Sequence, residues 1–259
     1  MTPALSARNP MVRRLRRLSA KRTEREVEGA FVVEGWKLVD EARSCGLVFE
    51  ELFVVEAGLS RLPPGLTRVH VLDEGVLAGA LDTSTPQGIA GIVTMPRCDA
   101  EPLEAGSGPE LVLAGVADPG NAGALVRSAE ASGCSAVRFC DGSVDPFAPK
   151  CVRASAGSIF RVPVVSEGEG VDVLERLGDR GVRRLGTSAH AGDTYDGLDL
   201  ASPFALVLGS ETHGLRDELT ARLDGIVHIP MAGELESLNV GIAGSIVLFE
   251  AARQRRANR

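Results

Sequence analysis

Three short stretches of the chain combine chemically useful side chains with small residues. They are "DPGNAG" at 118–123, "LGSETHGL" at 208–215 and "IPMAGELESLN" at 229–239. Each follows an apolar run that predicts a strand, and its glycines let a ligand come close to the backbone. Ligands bind beyond the carboxyl ends of the strands in a parallel α/β sheet, so these stretches are where a site is expected.

Several familiar chemistries do not match these stretches. "DPGNAGALV" lacks the G-x-G-x-x-G pattern of dinucleotide sites, and the chain has no P-loop. Ser210 and His213 lie close in sequence, but "GSETHG" is not the G-x-S-x-G elbow of hydrolases. The 5 cysteines form no C-x-x-C pair and the 4 histidines are far apart. The sequence therefore predicts neither a disulfide framework nor a metal site.

The second half of the chain has the pattern of a parallel α/β domain. Six short apolar runs alternate with helical segments: "ELVLAGV", "AVRFC", "RVPVV", "RRLGTSA", "FALVLG" and "GIVHIP". Such runs are typical of buried parallel strands. "DPGNAGALVRSAEASG" predicts a turn and a helix, and "SLNVGIAGSIVLFEAARQRR" predicts a long C-terminal helix with Ser237 as its N-cap.

The first half predicts a smaller α/β unit. "FVVEGWKLVDEARSCG" indicates a strand and an amphipathic helix, and "FEELFVVEAG", "RVHVL" and "GIAGIVTMP" indicate three more strands. "RCDAEPLEAGSGP" is polar and aperiodic, which is typical of a linker. The predicted domains are a basic arm at 1–25, a small domain at 26–96, a linker at 97–109 and a larger domain at 110–259.

Charge is unevenly distributed along the chain, whose net charge is -7. Residues 8–25 carry eight basic residues against one acid, Glu24, and such a segment favours contact with a phosphate backbone. The predicted RNA-contacting residues are Arg8, Arg13, Arg14, Arg16, Arg17, Lys21, Arg22 and Arg25. A simpler interpretation is a solvated helix face, because Met11, Val12, Leu15 and Leu18 form an apolar stripe at helical spacing. No apolar run reaches the roughly 18 residues of a membrane span, and we expect a cytosolic protein.

The three stretches together resemble the signature motifs of the SpoU (TrmH-like) family of RNA ribose 2′-O-methyltransferases, in the SPOUT superfamily. The resemblance rests on "DPGNAGALVRSAEASG", "LVLGSETHGL" and "IPMAGELESLNVGIAGSIVLFE", in the family's order and spacing across 110–259. "FVVEGWKLVDEA" and "TPQGIAGIV" resemble the ribosomal-protein-like substrate-binding domain that often precedes this catalytic domain. The similarity therefore covers nearly the whole chain.

This resemblance implies a fold, a cofactor and a set of site residues. The fold is a parallel α/β domain closed by a deep trefoil knot, and the active unit is a homodimer whose site borrows residues from both subunits. S-adenosylmethionine is the implied cofactor, held by Thr187, Gly209, Ile229, Met231 and Leu238. The implied catalytic and supporting residues are Asn121, Arg127, Glu211, Ser237 and Asn239. Each has a simpler interpretation, such as a turn, a helix cap, or for Arg127 an ion pair with Glu130.

The chain departs from the family pattern at a few small residues. The resemblance therefore does not predict the local shape of the pocket. Thr212 stands where the family often has Gly, and Gly241 and Gly244 stand where it often has Ser or Ala. The predicted substrate is RNA, preferably ribosomal, without a DNA or membrane partner. The alternatives are a tRNA methyltransferase of the same family, a non-catalytic RNA-binding or ribosome-assembly protein, and an oxidoreductase, which lacks its glycine fingerprint.

Overall fold

A computed structural model describes residues 4–63, 66, 68–83, 85–96, 108–233 and 236–258. The chain divides into two compact units, which we call the N-terminal unit (Met1–Arg97 with Phe147–Phe160) and the C-terminal unit (Cys98–Pro146 with Arg161–Arg259). Residues 97–107 of the predicted linker lie outside the described residues.

The helices and strands follow the alternation that the sequence predicts. In chain order the helices are α1 Pro10–Ala20, α2 Arg22–Glu28, α3 Trp36–Ser44, α4 Glu74–Ala78, α5 Pro119–Ser132, α6 Pro149–Ala154, α7 Gly170–Asp179, α8 Asp217–Thr220 and α9 Val240–Ala257. The strands are β1 Ala30–Glu34, β2 Phe49–Val55, β3 Val69–Leu72, β4 Ile89–Thr94, β5 Glu110–Leu113, β6 Ala136–Phe139, β7 Val164–Ser166, β8 Arg183–Ser188, β9 Asp193–Thr194, β10 Phe204–Leu208 and β11 Gly225–His228. Short 3-10 helices cover Glu56–Arg61 and Ser158–Phe160. None of the described helices combines the length and the apolar character that a membrane crossing requires.

The N-terminal unit is built on a mixed sheet of strand order β1-β4-β2-β3. β4 lies antiparallel to β1 and β2, whereas β3 runs parallel to β2. Helix α1 contributes Val12, Leu15 and Leu18 to the buried core of this unit. The basic segment is therefore anchored by its apolar stripe, and only its outer face is available to a partner.

A segment from the middle of the chain also belongs to the N-terminal unit. Helix α6 packs against β1, and Phe31 of β1 contacts the rings of Phe147 and Phe160 at centroid distances of 4.9 and 6.3 Å. Arg153 of α6 forms an ion pair of 2.9 Å with Glu34. The chain thus returns to its first unit after the second has begun.

The C-terminal unit contains a seven-stranded sheet of order β7-β6-β5-β10-β8-β11-β9. Every neighbouring pair in it is parallel, as the short apolar strands predict. The predicted fold class, a parallel α/β domain preceded by a smaller α/β domain, is confirmed.

Helix α9 packs against α5 through small residues. A Cβ atom on Gly244 would lie 2.6 Å from side-chain atoms of Leu125 and Leu208, and one on Gly241 would lie 3.7 Å from the Asn121 Cα atom. The hydroxyls of Ser128 and Ser245 meet at 2.7 Å between the two helices. Gly244 therefore permits close packing of α9, whereas a side chain at Gly241 would make only ordinary van der Waals contact with Asn121.

Candidate active site

The C-terminal unit contains a cavity at the carboxyl ends of three neighbouring strands, β8, β10 and β11. Its volume is about 520 Å³, within the range of small-molecule sites. All five residues predicted to hold the cofactor line it: Thr187, Gly209, Ile229, Met231 and Leu238. Residues 209–215 and the described residues of the stretch 229–239 thus come together where the parallel topology predicts.

Three of the five predicted catalytic residues form a hydrogen-bonded chain. The Asn121 side-chain amide donates to Glu211 Oε1 at 3.0 Å, and the Asn239 amide donates to Asn121 Oδ1 at 2.9 Å. Glu211 and Asn239 also line the cavity. The chain links α5, the loop after β10 and the start of α9, so it fixes the relative position of all three signature motifs.

Both ends of this chain are also tied to backbone. The Glu211 carboxylate accepts hydrogen bonds from the backbone N–H groups of Ala117 and Asp118, each at 3.2 Å. Asn239 Oδ1 accepts from the N–H groups of Gly241 and Ile242, and Asn239 is therefore the N-cap of α9. The prediction that Ser237 is this cap was wrong, because the helix begins three residues further along the chain.

The environment of Glu211 keeps its side chain ionised. Partial burial raises the pKa of Glu211, but hydrogen bonds from Asn121 and from the backbone of Asp118 and Ala117 outweigh burial and lower the pKa below its usual value. The stabilisation from this carboxylate is present above the ordinary glutamate pKa. It is lost as the pH falls through the lowered pKa.

Asn121 is positioned by the cap of its own helix. Asp118 is the N-cap of α5, and its Oδ1 accepts from the Asn121 N–H at 2.8 Å. Pro119 occupies the first turn, where its missing N–H costs no helical hydrogen bond. Asp118 was not among the predicted site residues, although an Asp-Pro pair before a helix is a recognisable start signal.

The other two predicted catalytic residues lie outside this hydrogen-bonded chain. Ser237 is exposed and lines the cavity. Arg127 lies on the exposed face of α5, and the carboxylate of Glu130 instead pairs with Arg161. The simpler interpretation of Arg127, an ion pair with Glu130, is therefore not what the structure contains. The Arg127 guanidinium faces solvent.

The loop after β10 adds polar groups that were not among the predicted site residues. The Thr212 hydroxyl lies 3.1 Å from the Ser210 hydroxyl and 2.7 Å from His213 Nδ1. All three residues line the cavity. Thr212, at a position where glycine was expected, thus adds a polar bridge to the cavity wall. Its position inside the motif 208–215 was the sequence signal that could have identified it as a residue of the site.

Gly209 is buried, and its missing side chain makes room for protein backbone. A Cβ atom there would lie 2.3 Å from the carbonyl carbon and oxygen of Gly214. Gly214 is held in place by two backbone hydrogen bonds of 2.9 Å with Ser210. Any side chain at position 209 must therefore displace the loop that forms one wall of the cavity.

We expect Gly209→Ala to weaken S-adenosylmethionine binding by about tenfold or more while the fold is retained, because a single methyl group already overlaps the loop backbone. Calorimetric titration of the cofactor, with circular dichroism of the same sample, measures both quantities. Gly168→Ala is the matched control, since a Cβ atom there meets nothing within 4 Å. Unchanged affinity in Gly209→Ala would place the cofactor away from this loop.

The predicted RNA-contacting residues of the N-terminal unit differ in what they present to solvent. Arg25 is only 3% exposed and donates to the carbonyl oxygens of Leu18 and Ser19, so we withdraw it from the predicted contacts. Arg14 is also withdrawn, because it is largely buried between Glu28 and Glu50, at 2.5 and 2.6 Å.

The remaining basic residues are exposed. Arg17 pairs with Glu24 at 3.0 Å, Arg22 pairs with Glu26 at 2.7 Å, and Arg16 donates to the Gly79 carbonyl. Arg8, Arg13 and Lys21 are exposed as well. These six side chains define what we call the basic face.

Comparison with known families decides the identity of this arrangement. The model of the SpoU rRNA Methylase family matches residues 109–249, which include every predicted catalytic and cofactor-binding residue. The chain belongs to this family. The resemblance predicted from the three motifs is thereby confirmed. The model of the MRM3-like substrate binding domain matches residues 9–91, within the N-terminal unit.

Relatives match this SpoU-family chain over almost its whole length. It is 35% identical to the 23S rRNA (guanosine(2553)-2′-O)-methyltransferase RlmP of Bacillus subtilis, over 94% of this chain and 96% of the relative. It is 31% identical to the 23S rRNA (uridine(2479)-2′-O)-methyltransferase of Streptomyces viridochromogenes, over 100% of this chain and 96% of the relative. The crystal structure of the SpoU methyltransferase AviRb from Streptomyces viridochromogenes, in complex with AdoMet, is similar with a TM-score of 0.84 and 28% identity. That similarity covers 97% of this chain and 100% of the AviRb chain.

The cavity of this SpoU-family chain fits a nucleoside cofactor in size and lining. It combines the apolar side chains of Ile229, Met231 and Leu238 with the Thr187 hydroxyl and the backbone at Gly209. Apolar walls with a few polar groups are the usual lining of such sites. Within the described ranges, no cluster of three or more His, Cys, Asp or Glu residues has the arrangement of a metal site.

Proposed function

We propose that this protein transfers a methyl group from S-adenosylmethionine to the 2′-hydroxyl of a ribose in large-subunit ribosomal RNA. The observation that carries the proposal is the cavity lined by all five predicted cofactor residues and joined to the chain of Glu211, Asn121 and Asn239. Two relatives over the full length are named as 23S ribosomal RNA methyltransferases. The cytoplasm, where ribosomal RNA is modified, is the proposed location.

The chain contributes placement and proton handling to this reaction. Bound S-adenosylmethionine supplies a sulfonium-activated methyl group, a strong electrophile. The protein must hold the ribose hydroxyl in line with that methyl group, and good placement lowers a barrier by about 7 to 11 kcal/mol. Asn121, Glu211 and Asn239 hold the three motif loops in the geometry that this alignment needs.

Arg127 is proposed to orient the RNA rather than to take its proton. A guanidinium keeps its proton at neutral pH and is therefore no base. Its planar fork instead binds a phosphate through two hydrogen bonds. The phosphate next to the reacting ribose is thereby fixed, and this phosphate or a water molecule accepts the 2′-hydroxyl proton.

The active form is proposed to be a homodimer, in which the exposed Arg127 acts on the cavity of the partner subunit. Ile242 and Phe249 of α9, one heptad apart, are 53% and 47% exposed although both are large and apolar. α9 packs against α5, the helix that carries Arg127. A partner subunit seated on this apolar surface would bring Arg127 of one protomer to the cavity of the other. Membership of the SpoU family supports the proposed trefoil knot.

The experiment that tests the function is methyl transfer with labelled S-adenosylmethionine to purified ribosomal RNA and, separately, to total tRNA. Ribose methylation is then mapped to single nucleotides in the RNA that becomes labelled. The two named relatives act on a guanosine and on a uridine, so the target base has to be found by this mapping. Label in tRNA alone would overturn the choice of substrate, and no transfer to either RNA would overturn the activity.

We expect removal of charge from the basic face to weaken RNA binding without changing cofactor affinity. Replacing Arg8, Arg13 and Lys21 with Gln should lower RNA affinity by about tenfold at low salt and flatten the salt dependence, since each lost phosphate contact reduces that slope by about one unit. Deletion of the segment is unsuitable, because Val12, Leu15 and Leu18 belong to the core. An unchanged affinity and salt slope would reduce the basic face to solvated surface.

A further inference from the structure

The N-terminal unit has a cavity of its own, of about 580 Å³. Trp36, Val55 and Leu77 give it apolar walls, and the backbone of Gly58 and Gly88 forms other parts of the lining. Trp36 is the single tryptophan of the chain and is half-buried at the start of α3. A large aromatic side chain beside an open cavity offers a flat surface on which a planar ligand can stack.

An arginine side chain lies over the face of this tryptophan. The Arg61 guanidinium carbon is 4.2 Å from the Trp36 ring centroid, and Arg61 itself is exposed. Guanidinium and indole planes are both surfaces on which unpaired bases stack in RNA complexes. Glu74 also lines the cavity, so its charge offsets that of Arg61. A lining with balanced charge favours a neutral planar group over a phosphate.

A polar group stands at the rim of the same cavity. Gln87 is exposed and lines the cavity, and its Oε1 atom lies so close to Gly35 that a Cβ atom there would approach it to 2.7 Å. Gly35 has a φ of 91°, a conformation that side-chain-bearing residues rarely adopt. The turn before Trp36 therefore leaves room for the Gln87 amide, which can both donate to and accept from the edge of a base.

We propose that this cavity binds an unpaired nucleobase of the RNA substrate, stacked on Trp36 or Arg61 with its edge toward Gln87. The proposal rests on the RNA-methylating function proposed above, and it adds a recognition site to the N-terminal unit. The basic face supplies sequence-independent phosphate contacts, whereas this cavity reads a base exposed in a loop or bulge. Trp36, Arg61 and Gln87 are thus assigned as substrate-recognition residues.

The fluorescence of the single tryptophan provides a direct test in the full-length protein. Titration with a ten-nucleotide oligoadenylate is expected to quench Trp36, because a base stacks on it or displaces Arg61 from it. The same ribose-phosphate chain without bases has equal charge and is expected to leave the fluorescence unchanged. Equal quenching by both oligonucleotides, or none by either, would overturn the proposal.

Variants then connect the cavity to catalysis. Trp36→Ala and Arg61→Met are each expected to raise the KM for the RNA substrate by about tenfold, the effect of losing one stacked base, with little change in kcat or in cofactor affinity. Trp36→Phe, which keeps an aromatic ring and its packing, should recover most of the affinity. Arg68→Met is the matched control for loss of one exposed charge in the same unit.

The outcomes separate this proposal from the proposed function. The proposal fails if ribosomal RNA is methylated normally but the variants do not show base stacking. In that case Arg61→Met has the same KM for RNA as the control Arg68→Met, and Trp36→Phe has the same KM as Trp36→Ala. The cavity then has only a structural role. If no RNA is methylated but the oligonucleotide containing bases alone quenches Trp36, the base site stands and the proposed activity fails.

Discussion

Arg127→Ala and Arg127→Lys are both expected to lower kcat by about a hundredfold or more while S-adenosylmethionine affinity stays within about twofold. A group that orients the RNA phosphate chiefly in the transition state affects turnover far more than ground-state cofactor binding. Lysine restores the charge but not the planar pair of donors, so it should not rescue the enzyme. Single-turnover methylation beside calorimetric titration of the cofactor measures the two quantities on the same protein.

The control is Arg222→Ala, which removes a partly exposed arginine of the C-terminal unit that pairs with Glu175. It should leave turnover near the wild-type level. Near-normal turnover in Arg127→Ala would instead mean that this arginine belongs to an ordinary helix surface.

Mixing two inactive variants tests whether Arg127 acts on the partner's cavity. The second variant is Gly209→Val, whose branched side chain overlaps the Gly214 backbone more than alanine does and should abolish cofactor binding. In a heterodimer of Arg127→Ala and Gly209→Val, one site combines an intact cavity from the first protomer with an intact Arg127 from the second. Random exchange of subunits makes half of the dimers mixed, so about a quarter of wild-type activity should return. Absence of recovery in dimers shown to have exchanged would place Arg127 at the cavity of its own protomer.

The fold was predictable where local pattern decides it. Continuous apolar runs such as "FALVLG" correspond to the central parallel strands, because a strand buried on both faces leaves no place for polar side chains. The return of residues 147–160 to the N-terminal unit was not predictable in this way. It depends on the contacts of Phe147 and Phe160 with Phe31, which are more than a hundred residues apart in sequence.

The sequence predicted which residues belong to the site, but it did not predict which of them hydrogen-bond to each other. The motifs identify Asn121, Glu211 and Asn239 one at a time, and for each a local role in a turn or cap is a reasonable interpretation. Asn239 does cap its helix, yet it also reaches Asn121 across 118 positions of sequence, and Asn121 reaches Glu211 across 90. Spacing along the chain carries no information on such pairs, because the sheet topology decides which loops meet.

Charge patterning gave the least reliable prediction of individual residues. Eight basic residues in the segment 8–25 suggested one cationic arm, but a helix has an inner face as well as an outer one. Arg25 lies on the inner side and Arg14 is held between two glutamates. The composition of a segment therefore predicts its tendency to bind phosphate, and only packing decides which side chains remain available.

The second large effect is expected for Asn121→Asp, and its size depends on pH. The Asn121 amide donates to Glu211 Oε1 at 3.0 Å, so the variant would set two carboxylates against each other at about that distance. Like charges this close do not both ionise, and the apparent pKa of the pair rises. We expect kcat to be lower than in the wild type at pH 8 by about tenfold or more, because the two ionised carboxylates repel each other and the hydrogen bond between positions 121 and 211 is lost.

Acidification should partly restore this variant while it does not help the wild type. In the wild type the Asn121 hydrogen bond lowers the pKa of Glu211, so the assembled site is present above the ordinary glutamate pKa and lost as the pH falls through the lowered value. In Asn121→Asp the pair must bind one proton to rebuild the hydrogen bond, so the site is present below the raised pKa of the pair and lost above it. The ratio of variant to wild-type kcat should therefore rise as the pH is lowered from 8 to 6. Asn121→Ala removes the same donor without adding a charge, so its ratio of variant to wild-type kcat should not change between pH 8 and pH 6. If this ratio varies with pH in the same way for the Asp and Ala variants, Asn121 and Glu211 do not interact during turnover.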